Sequence, residues 1–200
     1  MPTFSIAQIA LLVIVTVAGI IDWKTKKIFN VITFPAAALG IVLNFMSGGW
    51  QAALVAVAGW IVAVAIMIVP DHVLMKKPKM YFGDAKLMAA IGAFVGPGGV
   101  LLTFLFFSII YGLVAVTKTA SVFPWQKMSM AMKTGVVTDD FLQDEKLQSA
   151  LKSKIPLGPS IAVGTFLAIV LQKPTLDLLG FHDTTLFGLP MILSFAGYWF

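Results

Sequence analysis

The stretch that decides the fold is residues 80–95, MYFGDAKLMAAIGAFV, which is apolar but carries an aspartate near its start. Its uninterrupted apolar part, Leu87–Val95, is too short to cross a membrane core, which takes roughly 20 helical residues. The stretch becomes long enough only if a helix begins near Tyr81–Phe82 and continues to the glycine-rich turn at Gly96. Asp84 would then lie about one helical turn inside the membrane boundary.

Five further apolar runs of near-spanning length surround this stretch. They are Phe4–Ile21, Val31–Met46, Ala52–Val69, Val100–Val116 and Ile155–Leu171. The chain of 200 residues is 59% hydrophobic and only 12% charged, with a mean hydropathy of +0.95. A soluble domain of ordinary composition carries about 25% charged residues. The sequence therefore predicts an all-α, polytopic membrane protein with about six transmembrane helices.

The lysines predict the orientation of these helices. All fourteen basic residues are lysine. Counting the stretch 80–95 as the fourth of six predicted helices, thirteen lysines lie next to the ends of helices that meet one face of the membrane, after the first helix, between the third and fourth, and after the fifth. The three clusters are Lys24, Lys26 and Lys27; Lys76, Lys77, Lys79 and Lys86; and Lys118, Lys127, Lys133, Lys146, Lys152 and Lys154. Under the positive-inside rule this face is cytoplasmic and the N-terminus is external. Without arginine, and with the lysines confined to loops, we expect no nucleic-acid partner.

The chain is predicted to form a single membrane-embedded domain over residues 1–200. One long cytoplasmic loop, residues 117–154, is methionine-rich and then polar. The apolar C-terminal segment 187–200 is too short for an ordinary span and is predicted to be interfacial or re-entrant. Asp177, His182 and Asp183 are assigned to a solvated external loop, so we predict no metal site.

Two aspartates, Asp22 and Asp84, lie at nearly the same depth on the same predicted face. Carboxylates are costly to hold at a membrane, so each is a functional-site hypothesis. If the first and fourth helices pack together, the two carboxyl groups cannot both ionise readily. The pair is then expected to share one proton. One carboxylate can then activate water while the other, as an acid, polarises a carbonyl. The pair predicts peptide hydrolysis with no metal or cofactor.

Three neighbouring residues are predicted to shape this site. Gly83 would let an extended substrate backbone approach Asp84 closely. Asn30 is predicted either to cap a helix or to orient Asp22 by a hydrogen bond, capping being the default. Lys86 is predicted to extend toward lipid headgroups or to neutralise Asp84 in part.

Three stretches resemble signatures of the type IV prepilin peptidase family. Residues 22–30, DWKTKKIFN, are similar to its Asp-x-basic-x-basic-x-Ile-Pro-Asn signature, with Phe29 in place of proline. Residues 82–92, FGDAKLMAAIG, resemble its Gly-x-Gly-Asp-x-Lys-Leu segment, with Tyr81 in place of the first glycine. Residues 155–160, IPLGPS, are similar to its late Ile-Pro-Phe-Gly-Pro run. The order of these stretches and the predicted topology agree with the family.

The resemblance implies an intramembrane aspartyl endopeptidase of the prokaryotic inner membrane, with Asp22 and Asp84 as its catalytic residues. Its substrate would be a prepilin-like or preflagellin-like precursor, cut at the cytoplasmic face between a short basic leader and an apolar helix. The short loop after the first helix and the lack of cysteine imply a form without the methyltransferase domain of larger members. Such forms are nearest the tight-adherence pilus or preflagellin branches.

Two other functions fit the same residues. A proton-coupled transporter or channel could use the carboxylates as a relay, although no inverted repeat is visible. A non-catalytic scaffold of a pilus or secretion machine is the third reading. Asp71 and His72 are the rival acid–base positions, and we assign them to a solvated helix end.

Overall fold

The computed structural model describes residues 5–74, 82–123 and 156–178, together with residues 125, 129 and 133. The helices are α1 (Ile6–Thr25), α2 (Asn30–Leu74), α3 (Phe82–Val122), α4 (Gly158–Val170) and α5 (Gln172–Leu178). No strand occurs within these ranges, which confirms the all-α prediction. α1, α2 and α3 are long and apolar enough to span a membrane, and α4 is a shorter apolar helix.

Local sequence signals set both ends of α1. The Ser5 hydroxyl accepts a hydrogen bond from the Gln8 amide, and the Gln8 side chain accepts one from the Ser5 amide, which forms a capping box. At the other end Lys26 adopts a left-handed conformation, and its N–H donates to the Asp22 carbonyl at 2.8 Å. The chain therefore turns directly after Thr25, and Asp22 lies in the last turn of α1.

α2 folds back on itself at Gly48 and Gly49, whose backbone angles are not helical. Gly49 has a φ of +64°, a conformation that glycine adopts without steric cost. Gly40 and Gly59 would lie about 28 Å apart on a straight helix. Both instead touch the same short part of α3, residues 92–96. α2 is thus a hairpin of two helical segments.

α3 begins at Phe82, as predicted, and is interrupted at Gly96, which has a φ of +66° and is followed by Pro97. Gly92 and Val100 would be about 12 Å apart along a straight helix. The Val100 side chain nevertheless lies 3.0 Å from the Cβ position of Gly92, so the chain turns back between them. The breaks in α2 and α3 fall between predicted apolar runs. The structure gives three helices of spanning length, however, and the count of six spans stays a prediction.

The helices approach each other closely through glycines that we call the glycine seam, Gly40, Gly59 and Gly92. A Cβ on Gly40 would lie 2.7 Å from the Phe94 ring and 2.9 Å from the Ala93 carbonyl. A Cβ on Gly59 would overlap the Gly92 carbonyl oxygen, and one on Gly92 would overlap that of Gly59. Small residues permit this approach, which maximises van der Waals contact between membrane helices.

The buried side-chain amide of Asn44 supplies a hydrogen-bond donor at the break in α3. Pro97 has no N–H, so the Ala93 carbonyl lacks its usual helical donor. The Asn44 side-chain amide lies 3.0 Å from the Ala93 oxygen, 3.2 Å from that of Phe94 and 2.9 Å from that of Gly40. Asn44 therefore ties the first segment of α2 to α3 where the backbone needs a donor.

The chain divides into two compact units, Met1–Ser108 with Pro156–Phe200, and Ile109–Ile155. In the first unit, α1 packs along α4. In the second, the Trp125 indole donates to the Ala120 carbonyl at 3.0 Å, and its ring packs on Phe123. α3 continues to Val122, so the start of the predicted loop 117–154 is helical. Most of that loop, the segment 187–200 and the position of His182 lie outside the described residues.

Many large apolar side chains are exposed along the spanning helices, including Ile9, Val13, Leu101, Ile109 and Leu113. A soluble protein would not leave so continuous an apolar surface in water. The surface matches the composition, because a lipid environment removes the cost of exposing these side chains.

Candidate active site

Asp22 is buried, with 5% of its surface exposed, in the last turn of α1. Its Oδ2 accepts a hydrogen bond from the backbone N–H of Gly158 at 2.8 Å. Gly158 is the first residue of α4, where helical N–H groups lack partners within their own helix. The carboxylate of one helix thus meets the positive end of another.

At position 158 only glycine fits this contact without a shift of its neighbours. A Cβ there would lie 2.7 Å from Asp22 Cβ and 2.9 Å from Asp22 Oδ2. Residues 155–160 resemble a family motif, but the sequence does not place Gly158 at the site. The signal was present in the glycine between Leu157 and Pro159, but only the packing of α1 on α4 gives it a partner.

Asp84 lies in the first turn of α3 and is also buried, with 7% of its surface exposed. It lines the same pocket as Asp22, a space of about 380 Å³ that we call the acid pocket. The two carboxyl groups are close enough to repel each other electrostatically. The acid pocket is lined by Asp22, Lys26, Lys27, Ile28, Phe29, Asn30, Gly83 and Asp84. The predicted association of the two aspartates is therefore present.

Gly83 lies beside Asp84 in the wall of the acid pocket. A Cβ on Gly83 would come within 3.3 Å of the Ile28 Cβ, which is tighter than an ordinary contact. The missing side chain lets the start of α3 approach the segment that connects α1 and α2. Gly83 therefore helps bring Asp84 to the same pocket as Asp22.

Asn30 and Lys86 contact each other, which neither prediction for them included. The Lys86 ammonium donates to the Asn30 side-chain oxygen at 2.9 Å and lies 5.7 Å from the centre of the Phe34 ring. Asn30 is the first residue of α2 and lines the acid pocket. The expectation that its side chain caps α2 or orients Asp22 stays a prediction, which the contact with Lys86 does not test. The contact links the start of α3 to the start of α2.

An apolar groove of about 600 Å³ lies between α1 and α4. Its walls are Leu12, Thr16, Gly19, Ile20, Trp23 and Lys24 on α1, and Pro159, Ala162, Val163 and Phe166 on α4. Trp23 and Pro159 directly follow Asp22 and Gly158 in the sequence. The groove and the acid pocket therefore have lining residues that are adjacent in the sequence, but they share none.

The chemistry open to this arrangement is that of two carboxyl groups in one pocket of about 380 Å³, which has room for water and part of a peptide. Within the residues that the structure describes, no group of three or more His or acidic side chains could hold a metal ion. A neighbouring pair of carboxyls can supply one general base and one general acid. The fold and the pocket together define a helical membrane protein with a buried pair of acids at the ends of two helices.

A family model for the type IV leader peptidase family matches residues 9–116, more than half of the chain, and the protein belongs to that family. Membership makes it a leader-peptidase-like protease of the membrane. Comparison with curated proteins and with solved structures gave no match. The matched range includes Asp22 and Asp84 but ends before α4, which supplies Gly158.

Proposed function

We propose that this protein is an intramembrane aspartyl endopeptidase that removes a short basic leader from a type IV prepilin-like or preflagellin-like precursor. The observation that carries the proposal is the meeting of Asp22 and Asp84 in the acid pocket, at the ends of two apolar helices. Membership of the leader peptidase family supports the class of substrate. Six transmembrane spans, an external N-terminus and a cytoplasmic site are part of the proposal, supported by the lysine clusters.

The reaction requires one aspartate to be ionised and the other protonated. The carboxylate takes a proton from water while the water oxygen attacks the scissile carbonyl carbon. The protonated partner gives its proton to the carbonyl oxygen, which produces a neutral diol. On collapse the carbon–nitrogen bond breaks, the first aspartate returns its proton to the leaving amine, and the second recovers one from the diol. Atoms and charge balance without a covalent enzyme intermediate.

The acid pocket and the groove are suited to different parts of such a substrate. An apolar helix needs a surface within the membrane, and the groove between α1 and α4 offers one whose wall includes Trp23, the residue after Asp22. The peptide bond next to the helix would then lie at the acid pocket. The glycines Gly83 and Gly158 let the protein's own helices pack closely around the two acids.

The test is cleavage of a prepilin-like precursor from the same genome by membranes that contain the protein. Asp22→Asn and Asp84→Asn should each lower kcat by roughly 10⁴-fold or more, because residues that act as a unit fail together. The matched control is Asp71→Asn, which changes an aspartate assigned to a solvated helix end and should cleave normally. Both site variants should accumulate in the membrane as the unaltered protein does.

Normal processing by either asparagine variant would remove that aspartate from the mechanism. Loss of processing in Asp71→Asn, with activity kept in the site variants, would favour the rival position. Solute uptake that depends on a proton gradient, without any cleavage, would favour the transporter reading instead.

A further inference from the structure

The helix α4 begins without a cap of its own. Its N-cap residue is Leu157, which has no polar side chain and makes no side-chain capping hydrogen bond. Pro159, the residue after Gly158, has no N–H. The Gly158 amide is therefore the only backbone donor in the first two residues of α4, and it points at Asp22.

Asp22 occupies an unfavourable place in its own helix. It lies in the last turn of α1, where the helix dipole presents partial negative charge. A carboxylate there gains from a donor that another helix supplies. Asp22 on α1 thus caps the start of α4, and the Gly158 amide of α4 supplies the hydrogen-bond donor that the end of α1 lacks.

Asp84 has a different set of partners. It lies in the first turn of α3, so the dipole of its own helix favours negative charge there too. Among the described residues, however, no group donates a hydrogen bond to its carboxyl. A direct hydrogen bond to a charged group contributes roughly two to three times as much as a helix dipole. Lys26 and Lys27 line the acid pocket with both aspartates and so do not separate their roles.

Resting on the proposed function, we infer that Gly158 is a positioning residue of the hydrolysis, whose amide fixes the Asp22 carboxylate as the base and leaves Asp84 as the acid. One Asp22 oxygen is engaged by the amide, and the other is left to take the proton from water. Asp84 gives its proton to the scissile carbonyl oxygen. The carbonyl carbon gains the water oxygen, and the later steps follow as described above.

The test replaces the Gly158 N–H by an oxygen atom, which removes the hydrogen-bond donor to Asp22. Replacing Gly158 by glycolic acid, introduced by nonsense suppression, turns the amide into an ester and adds no Cβ. Because this N–H has no partner inside α4, the only other cost to the helix is a weaker acceptor at the Leu157 carbonyl, which accepts from the Ile161 N–H at 2.9 Å. An ester elsewhere in α4 has the same cost and controls for it. We expect kcat for the prepilin-like precursor to fall about tenfold to hundredfold, as for the loss of a hydrogen bond to a charged group. KM should be unchanged, because the groove is intact.

The matched control is the same ester at Gly164, about 9 Å further along α4. Its Cβ position faces Phe107, not Asp22, so kcat should stay near that of the unaltered protein. A second variant, Gly158→Ala, should lose more activity than the ester because its Cβ displaces the Asp22 carboxylate. In Gly164→Ala the Cβ meets the Phe107 backbone at 2.7 Å, which gives a comparable packing defect away from the acids.

An ester variant at Gly158 with unchanged kcat would overturn the inference while leaving the proposed function standing. An equal fall in kcat for the Gly164 ester would overturn it too, since the effect would then be one of helix integrity. Failure of the unaltered protein to cleave, with no difference from Asp22→Asn, would instead overturn the proposed function and the inference with it.

Discussion

The glycine seam and the acid pocket use the same device for different ends. In both, a missing Cβ lets one helix touch another at a distance that no other residue permits. In the glycine seam the neighbours are backbone carbonyls and a phenyl ring, and the space is filled. At the acid pocket the neighbour of Gly158 is a carboxylate, and about 380 Å³ is left open. In the glycine seam close packing stabilises the fold, whereas at the acid pocket it holds a carboxyl group beside open space.

The largest effect is expected from Gly92→Ala, which tests whether the glycine seam is a tight contact that stabilises the fold. Its Cβ would overlap the Gly59 carbonyl oxygen, and overpacking against rigid backbone destabilises by about 3 kcal/mol or more. We expect a marked fall in unfolding temperature in detergent and in membrane accumulation. Gly112→Ala is the matched control, because nothing lies within 4 Å of its Cβ position. Equal stability of the two variants would show that the seam is not a tight contact.

The next largest effect is expected from Asn44→Leu. The change leaves the Ala93 carbonyl without a donor next to Pro97, which costs about 2 kcal/mol for a buried polar group. Stability should fall, while kcat per folded molecule stays the same, because Asn44 does not line the acid pocket. Ser47→Ala removes a part-buried bond to the Asn44 carbonyl and should cost much less. A fall in kcat without a fall in stability would contradict the division between the two regions.

The groove gives a prediction at the level of binding. Val163→Trp fills it from α4 and should raise KM for a full-length precursor about tenfold, equivalent to about 1.4 kcal/mol of binding. kcat should change little. Val13→Trp is the matched control, since both valines are about half exposed, at 46% and 58%, but Val13 does not line the groove. If a lipid chain fills the groove instead, both variants should have the KM of the unaltered protein.

The smallest effect is expected from the contact between Lys86 and Asn30. The hydrogen bond is exposed, so Lys86→Met or Asn30→Ala should lower kcat/KM only a few-fold. A double-mutant cycle separates the contact from the individual side chains. The double variant should lose less than the product of the two single effects. Independent effects would mean that the pair does not help hold the start of α3 at the acid pocket.

Much of the site was predictable from the sequence, because a charged side chain next to an apolar run is energetically unfavourable at a membrane and can be recognised without the structure. Asp22 and Asp84 stand out as charges at the edges of apolar runs. The start of α3 at Phe82 was predictable because Leu87–Val95 alone is too short to cross a membrane. The contact of Asn30 with Lys86 was not predicted, because the two residues lie 56 positions apart in the chain. The role of Asn44 was also hidden, since it depends on Pro97 in another helix.

The sequence by itself determined the class: a helical membrane protein with two acids at helix ends, since hydropathy and charge placement are properties of single segments. Only the tertiary structure decided that α2 and α3 turn back at their glycines, that Asp22 meets the first amide of α4, and that Lys86 engages Asn30. These contacts join residues distant in the chain, and their geometry depends on how closely whole helices can approach. That distance is set by the absence of a Cβ at a few glycines, which a local pattern does not show.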